Sequence, residues 1–162
     1  MKFALALMIF GGGLAQTTVA PVLRLGAVTP DIPLVLTALL ALRRGPEVGC
    51  LSGFVAGLLQ DVTGGGFVGV QALTKALAGF GVGLLAVRLS VSNPLVQVPG
   101  LVLLTLAEGV VRYGLLRVFH FPASFFDLVL HVILPQALYN GFLGSAVVLV
   151  LAWAETRRIG WP

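Results

Sequence analysis

Long apolar runs separated by short polar punctuation set the pattern of this chain. Four runs reach the roughly 20 residues that a helix needs to cross a bilayer: Phe3 to Leu23, Phe67 to Val87, Leu95 to Phe119 and Leu128 to Ala154. Two shorter runs, Ile32 to Leu42 and Val48 to Gln60, lie between the first and second of these. At 1.5 Å per residue each covers only about 15 to 20 Å. They are short spans buried in a bundle, or the two arms of a re-entrant hairpin. Arg43 and Arg44 arbitrate, because a hairpin would place the pair at its tip near the bilayer centre. Each arginine there costs about 2.5 to 3.5 kcal/mol on the insertion scale. Two short spans leave the pair in water. The pattern therefore predicts an all-α membrane protein with six transmembrane helices, the second and third short. It is a single integral membrane domain, with spans at about 3–23, 31–42, 47–60, 67–87, 95–119 and 128–154.

The breaks between runs have ordinary causes. Pro30 and Pro33 flank the start of the second helix, and Asp31 lies in its first turn, where the helix dipole favours negative charge. Gly45-Pro46 reads as a turn and Asn93-Pro94 opens the fifth helix. Pro99 and Pro135 are expected to kink the fifth and sixth. No internal repeat is evident, so an inverted-repeat transporter is not indicated.

Composition supports the membrane reading. The chain of 162 residues is 58% hydrophobic and only 10% charged, against about a quarter charged in soluble domains. The net charge is +4, but the basic residues are scattered rather than clustered on one face. That argues against nucleic acid as a partner and for topology signals and contacts with anionic membrane lipids. Six spans place both termini on one side, together with Lys2, Arg43, Arg44, Arg88, Arg157 and Arg158. The opposite side receives Arg24 and the carboxylates Asp31, Asp61 and Asp127. By the positive-inside rule both termini are cytoplasmic. Lys2 followed by an apolar stretch also fits a signal peptide cut after Ala20, but Pro21 is a poor context for cleavage. An uncleaved first helix is expected. Cys50 is alone, and no His/Cys cluster has metal-ligand spacing, so neither a disulfide nor a metal or cofactor is expected.

Candidate chemistry sits in two places. The first is the stretch GLLQDVTGGGFVGVQALTK at residues 57–75, where Asp61 stands beyond an outward-running helix. That is the wrong end of the dipole for a carboxylate, so Asp61 must find other donors. Thr63 and the amides of Gly64, Gly65 and Gly66 are candidates, since successive glycine amides can curl around an anion. Gly65, Gly69 and Ala72 are spaced to keep small residues roughly on one face, which favours close helix packing in lipid. No second acid, histidine or nucleophile accompanies Asp61, so a catalytic role is not indicated. The second place is the charge within the apolar runs: Lys75, Glu108 and Arg112. Glu108 and Arg112 are at i, i+4 and share a helix face. Antiparallel spans bring Lys75 to within about 5 Å of the depth of Glu108, a gap that a lysine stem bridges. Glu108 is then the counter-charge expected for both cations. The network reads as an internal ion cluster that fixes register, or as a polar cavity for a ligand or a partner helix. Arg117, near the end of its helix, is expected to snorkel. Gln136 and Asn140 share one face and His131 shares another with Asp127; helix-to-helix hydrogen bonding is expected of them. Gly53/Gly57 and Gly79/Gly83 are small-xxx-small pairs that pack helices inside the protein or form a docking face toward lipid.

Gly57, Leu58, Asp61, Gly65, Gly69, Ala72 and Leu73 form a G-L-x-x-D-x-x-x-G-x-x-x-G-x-x-A-L pattern. Upstream stand Pro30-Asp31, then Arg43-Arg44-Gly45 and the small helix with Gly53 and Gly57. This order resembles the rod shape-determining MreD family from about residue 30 to 90, and only in hydropathy elsewhere. The triple glycine departs from the one or two usual in the family. The resemblance implies a non-enzymatic subunit of the bacterial cell-elongation machinery in the cytoplasmic membrane. There it binds MreC and supports side-wall peptidoglycan synthesis, alongside RodA, its transpeptidase partner and MreB. It also implies a fold like the substrate-binding S components of energy-coupling-factor transporters. The alternative function is therefore capture of a small vitamin-like ligand. S components carry an Ala-x-x-x-Ala docking motif on their first span. Here Ala4, Ala6 and Ala15 are followed four residues later by Met8, Phe10 and Val19. A small membrane enzyme is a third reading, without a nucleophile-base pair to support it.

Overall fold

The computed structural model describes residues 2–26, 28–65, 67–89, 94–120, 122 and 124–158. Gly66 and Asn93, each given a role by the sequence, lie outside the described residues, as do the side chains of Lys2, Arg88, Arg157 and Arg158. The described residues form an all-α structure: α1 (Lys2–Thr18), α2 (Ile32–Arg44), α3 (Pro46–Gly64), α4 (Val70–Leu89), α5 (Pro94–Val118), α6 (Phe125–Leu128) and α7 (Leu134–Arg158). A π-helical turn, Val129–Ile133, joins α6 to α7 without interruption. The only extended pairing among the described residues is a single bridge between Leu25 and Val28.

The helix ends follow from local chemistry. α1 stops at Thr18, short of the apolar run's end at Leu23. Thr17 and Thr18 turn their hydroxyls back onto the Leu14 carbonyl, and Pro21 has no N–H to continue the ladder. α2 starts with Asp31 as N-cap, its Oδ1 accepting the Leu34 N–H at 3.0 Å, and with Pro33 in the first turn. α2 and α3 are separated by Gly45 alone, whose φ of 89° suits glycine, and Pro46 opens α3. α3 then runs to Gly64, four residues beyond the apolar run that ends at Gln60, and closes on Gly65 in the left-handed conformation. α5 continues through Pro99. Pro135 is preceded by the π turn, in which the Leu134 N–H reaches back five residues to the Val129 carbonyl. A proline that cannot bond to residue 131 is accommodated by this wider turn.

α2 is the centre of the bundle, packed against α1, α3, α4, α5 and α7. Its buried residues include Leu34, Val35, Thr37, Ala38, Leu40 and Ala41, which lie around much of its circumference. A helix of 13 residues, about 20 Å long, is thus shielded by its neighbours. The closest packing is between α3 and α4. A methyl group on Gly53 would collide with the Lys75 carbonyl, one on Gly57 with the Gln71 carbonyl, and one on Gly49 or Gly79 with the other's backbone. Gly83 packs in the same way against Pro46. The two helices touch backbone to backbone along this line.

Leucine, valine and phenylalanine face outward along the helices, among them Phe10, Leu51, Leu103, Leu138, Phe142 and Leu149, while among the described residues the largest fully buried side chain is Lys75. Among the described residues one helix, Phe125–Val150, is by itself long and apolar enough to cross a membrane; Val70–Ala86 is a shorter apolar helix.

Candidate functional site

The core of the bundle holds a cluster of charges. Lys75 is 0% exposed and its Nζ lies 2.8 Å from Oδ2 of Asp31, which is 1% exposed. The approach is oblique: Oδ2 takes the ammonium as an ion pair and accepts no hydrogen bond. Lys75 donates instead to Oε1 of Gln71, one turn earlier on α4, at 2.7 Å. Glu108 is farther away, its Oε1 3.8 Å from Nζ. That same oxygen accepts from the Thr74 hydroxyl at 2.9 Å, while Oε2 lies 3.9 Å from the Arg112 guanidinium. Lys75, Glu108 and Arg112 do come together, but Glu108 is not the sole counter-charge for the two cations. Asp31 is the nearer partner of Lys75. The sequence placed Asp31 at an aqueous helix start; the structure buries it, because α2 begins inside the bundle. Two cations and two carboxylates make the cluster formally neutral, the usual condition for charge inside an apolar phase.

Hydrogen bonds extend the cluster to α1 and α7. Arg112 donates to Oε1 of Gln136 at 3.2 Å, and Gln136 Nε2 donates to the Thr29 carbonyl at 3.1 Å. Asn140 Oδ1 accepts the Asp31 backbone N–H at 2.8 Å, and its Nδ2 reaches the Thr105 hydroxyl at 3.4 Å. Gln16 of α1 brackets the same segment: Nε2 donates to the Pro30 carbonyl and Oε1 accepts from the Ile32 N–H. Gln136 and Asn140 have the helix-to-helix role expected of them. His131, by contrast, is exposed, and its described polar contact is with the Asp127 carbonyl of its own helix turn. Gln16 and Thr105 escaped the sequence reading, since a lone glutamine or threonine in an apolar run gives no signal of its partner.

Asp61 solves its donor problem differently from expectation. Oδ2 accepts the N–H groups of Gly69 at 2.8 Å and Ala72 at 3.1 Å, and Oδ1 accepts that of Gln71 at 3.1 Å. The carboxylate thus caps the start of α4 and sits at the favourable end of that helix's dipole. Neither Thr63 nor Gly64 nor Gly65 supplies its donors; Thr63 turns its hydroxyl back to the Leu59 carbonyl. Gly65 and Gly69 do not share a helix face. They lie in the connection between α3 and α4, with φ of 67° and 101°, and glycine tolerates both. Gly57 is spent in the α3–α4 contact, as are Gly53, Gly79 and Gly83. Pro30 is buried beside Asp31, whereas Arg43 and Arg44 are exposed in the last turn of α2.

At the same end as Asp61 a cavity of about 480 Å³ opens, lined by Asp61, Gly65, Phe67, Val70, Gln71, Arg112 and Leu116. Phe67 stacks on Phe119 at a centroid distance of 5.1 Å and joins the α3–α4 connection to the end of α5. Among the described residues no group of three or more metal-binding side chains occurs.

The fold and its cluster define a class of protein: a helical bundle that turns hydrocarbon outward and keeps its balanced charges inside, the reverse of a water-soluble domain. A family model described as rod shape-determining protein MreD matches residues 1–154. The chain therefore belongs to the MreD family of membrane proteins, with a role in rod shape determination. Comparison with curated proteins and with solved structures gives no match.

Proposed function

We propose that this chain is a non-enzymatic, six-span subunit of the bacterial cell-elongation complex in the cytoplasmic membrane. It binds MreC directly and supports side-wall peptidoglycan synthesis beside RodA, its transpeptidase partner and MreB. Membership of the family supports the shape-determining role. The observation that carries the scaffold reading is the fate of the polar interior. Lys75, Asp31, Glu108, Asn140 and Gln136 are engaged with one another and with backbone, which is the arrangement of a structural pin rather than of a reactive site. The exposed Arg43-Arg44 pair at one end and the Asp61 loop at the other fit cytoplasmic termini under the positive-inside rule.

Co-expression with a tagged MreC from the same genome, followed by purification through the tag in mild detergent, tests the reading. A stable stoichiometric complex is the expected result. Failure of this chain to follow the tag would remove the direct MreC contact. The alternative, an S component for a vitamin-like ligand, fits the chain length and expected fold, but this chain lacks the Ala-x-x-x-Ala docking motif on its first helix.

A further inference from the structure

The cavity beside Asp61 has walls of unlike character. Phe67, Val70 and Leu116 are apolar, and Phe67 continues onto an exposed surface with Val68 and Phe119. Its polar groups are Asp61, Gln71 and Arg112. Asp61 has little left to offer, since its oxygens accept three backbone N–H groups. Gln71 is oriented by Lys75: the ammonium donates to Oε1, so the amide nitrogen turns the other way with two hydrogens to give. Arg112 is 15% exposed, the one charged member of the ion cluster that reaches the surface. Its described engagements are a 3.2 Å hydrogen bond to Gln136 and a 3.9 Å contact with Glu108. A guanidinium carries five N–H donors in a planar fork. The cavity therefore offers donors and an apolar wall, while three of the Asp61 carboxylate's lone-pair positions are taken by backbone N–H groups.

We propose that this cavity binds an oxyanion, specifically the phosphodiester of a lipid headgroup. Arg112 and Gln71 donate to the phosphate oxygens, and Phe67, Val70 and Leu116 lie against the glycerol and upper acyl chain. Guanidinium geometry matches phosphate through paired hydrogen bonds. The donors work in low-dielectric surroundings, where such bonds are stronger than in water. The volume of about 480 Å³ lies within the roughly 300 to 1,000 Å³ of ordinary small-molecule sites. Free inorganic phosphate shares the recognised chemistry; the apolar wall favours the lipid as its source. This site does not depend on binding to MreC, so either proposal can fail alone.

The test uses the full chain, delipidated in an uncharged maltoside detergent. Thermal unfolding is followed while titrating a short-chain phosphatidylglycerol, a phosphatidylcholine, a diacylglycerol without phosphate, or inorganic phosphate. The two phospholipids are expected to raise the midpoint saturably, by about 5 to 10 °C near 100-fold excess over the dissociation constant, and diacylglycerol is not. A response to inorganic phosphate at millimolar concentration would keep the oxyanion site and make the free anion its ligand. Native mass spectrometry counts bound lipid independently of stability. Leu116→Trp, which fills the cavity while leaving every charged side chain in place, and Arg112→Gln should each reduce the retained phospholipid at least tenfold. The proposal is overturned if diacylglycerol stabilises as well as the phospholipids do, or if both variants retain lipid as the wild type does.

Discussion

Lys75 offers the sharpest test of how the core is held. Its Nζ lies 2.8 Å from Asp31 and 3.8 Å from Glu108. Coulomb attraction falls as 1/r, so the Asp31 contact is stronger by roughly a third at equal permittivity. Glu108 also has Arg112 and the Thr74 hydroxyl beside it, whereas the described cation next to Asp31 is Lys75. Lys75→Met keeps most of the side chain's volume and removes the charge. It leaves Asp31 as an uncompensated buried carboxylate and should destabilise by about 3 to 5 kcal/mol, the range for stripping one partner from a buried pair. Asp31→Asn keeps an oxygen for the Leu34 cap and removes the negative charge. In the Lys75→Met background it should therefore cost much less than alone. A double-mutant cycle over Lys75 and Asp31 is expected to give a coupling of about 1 to 3 kcal/mol. The parallel cycle over Lys75 and Glu108→Gln should give less than half of that. Reversible unfolding in mild detergent, read by tryptophan fluorescence, supplies the four corners of each cycle. Equal couplings, or a larger one for Glu108, would refute the assignment of Asp31 as the main partner.

Asp61→Ala should lose about 2 to 4 kcal/mol, because a helix cap disappears and the buried Ala72 N–H is left without an acceptor. Asp61→Asn, which retains one acceptor oxygen, should lose less. A melting curve of Asp61→Ala matching the wild type would count against the capping role. Gly53→Ala should destabilise by about 2 kcal/mol or more, since its methyl meets the Lys75 carbonyl. Gly81→Ala, on the same pair of helices but with open space at its Cβ, should be neutral or stabilise by up to about 1 kcal/mol; similar shifts for the two would dismiss the close α3–α4 contact. Glu108→Gln should lower the melting point in detergent more than Arg117→Gln does, because Glu108 is buried between two cations and Arg117 is exposed. Equal melting shifts would contradict the ion cluster.

Helix positions were legible because apolar runs and proline or glycine breaks act locally. The runs at 95–119 and 67–87 lie close to α5 and α4, and Gly45-Pro46 does separate α2 from α3. Depth and partnership were less legible. An i, i+4 spacing announced Glu108 with Arg112, and a shared depth suggested Lys75. Nothing local announced Asp31, which is 44 residues before Lys75 in the chain. The helix dipole already explained an aspartate at the start of α2, so its burial went unsuspected. The donors for Asp61 were misjudged for a related reason. Three consecutive glycines are a conspicuous anion cradle, while the N–H groups at the start of the next helix are invisible as residue types. Gly53 and Gly57 could be read as a packing pair, but which helix they meet depends on the tertiary arrangement.

The buried polar residues are best understood through the backbone that they serve. α2 is short and begins inside the bundle, so several N–H and C=O groups of residues 29–32 lie ahead of its hydrogen-bond ladder and need partners from elsewhere. Irregular backbone in apolar surroundings must find partners for every N–H and C=O, at several kcal/mol for each one left unmet. The Thr29 carbonyl is met by Gln136, the Pro30 carbonyl and the Ile32 N–H by Gln16, and the Asp31 N–H by Asn140. Asp31 itself caps Leu34, and its remaining oxygen is neutralised by Lys75. Side chains from α1, α4 and α7 thus converge on four residues. Lys75 in turn needs an acceptor in Gln71, and Glu108 balances Lys75 and Arg112. The proline pair, the short second helix and the scattered polar residues of distant runs are therefore one requirement. Lengthening α2 toward its N-terminus would remove the need for Gln16 and Asn140. Keeping it short places a formally neutral knot of ion pairs and hydrogen bonds at the point where the helices meet, and that knot sets their depth relative to one another.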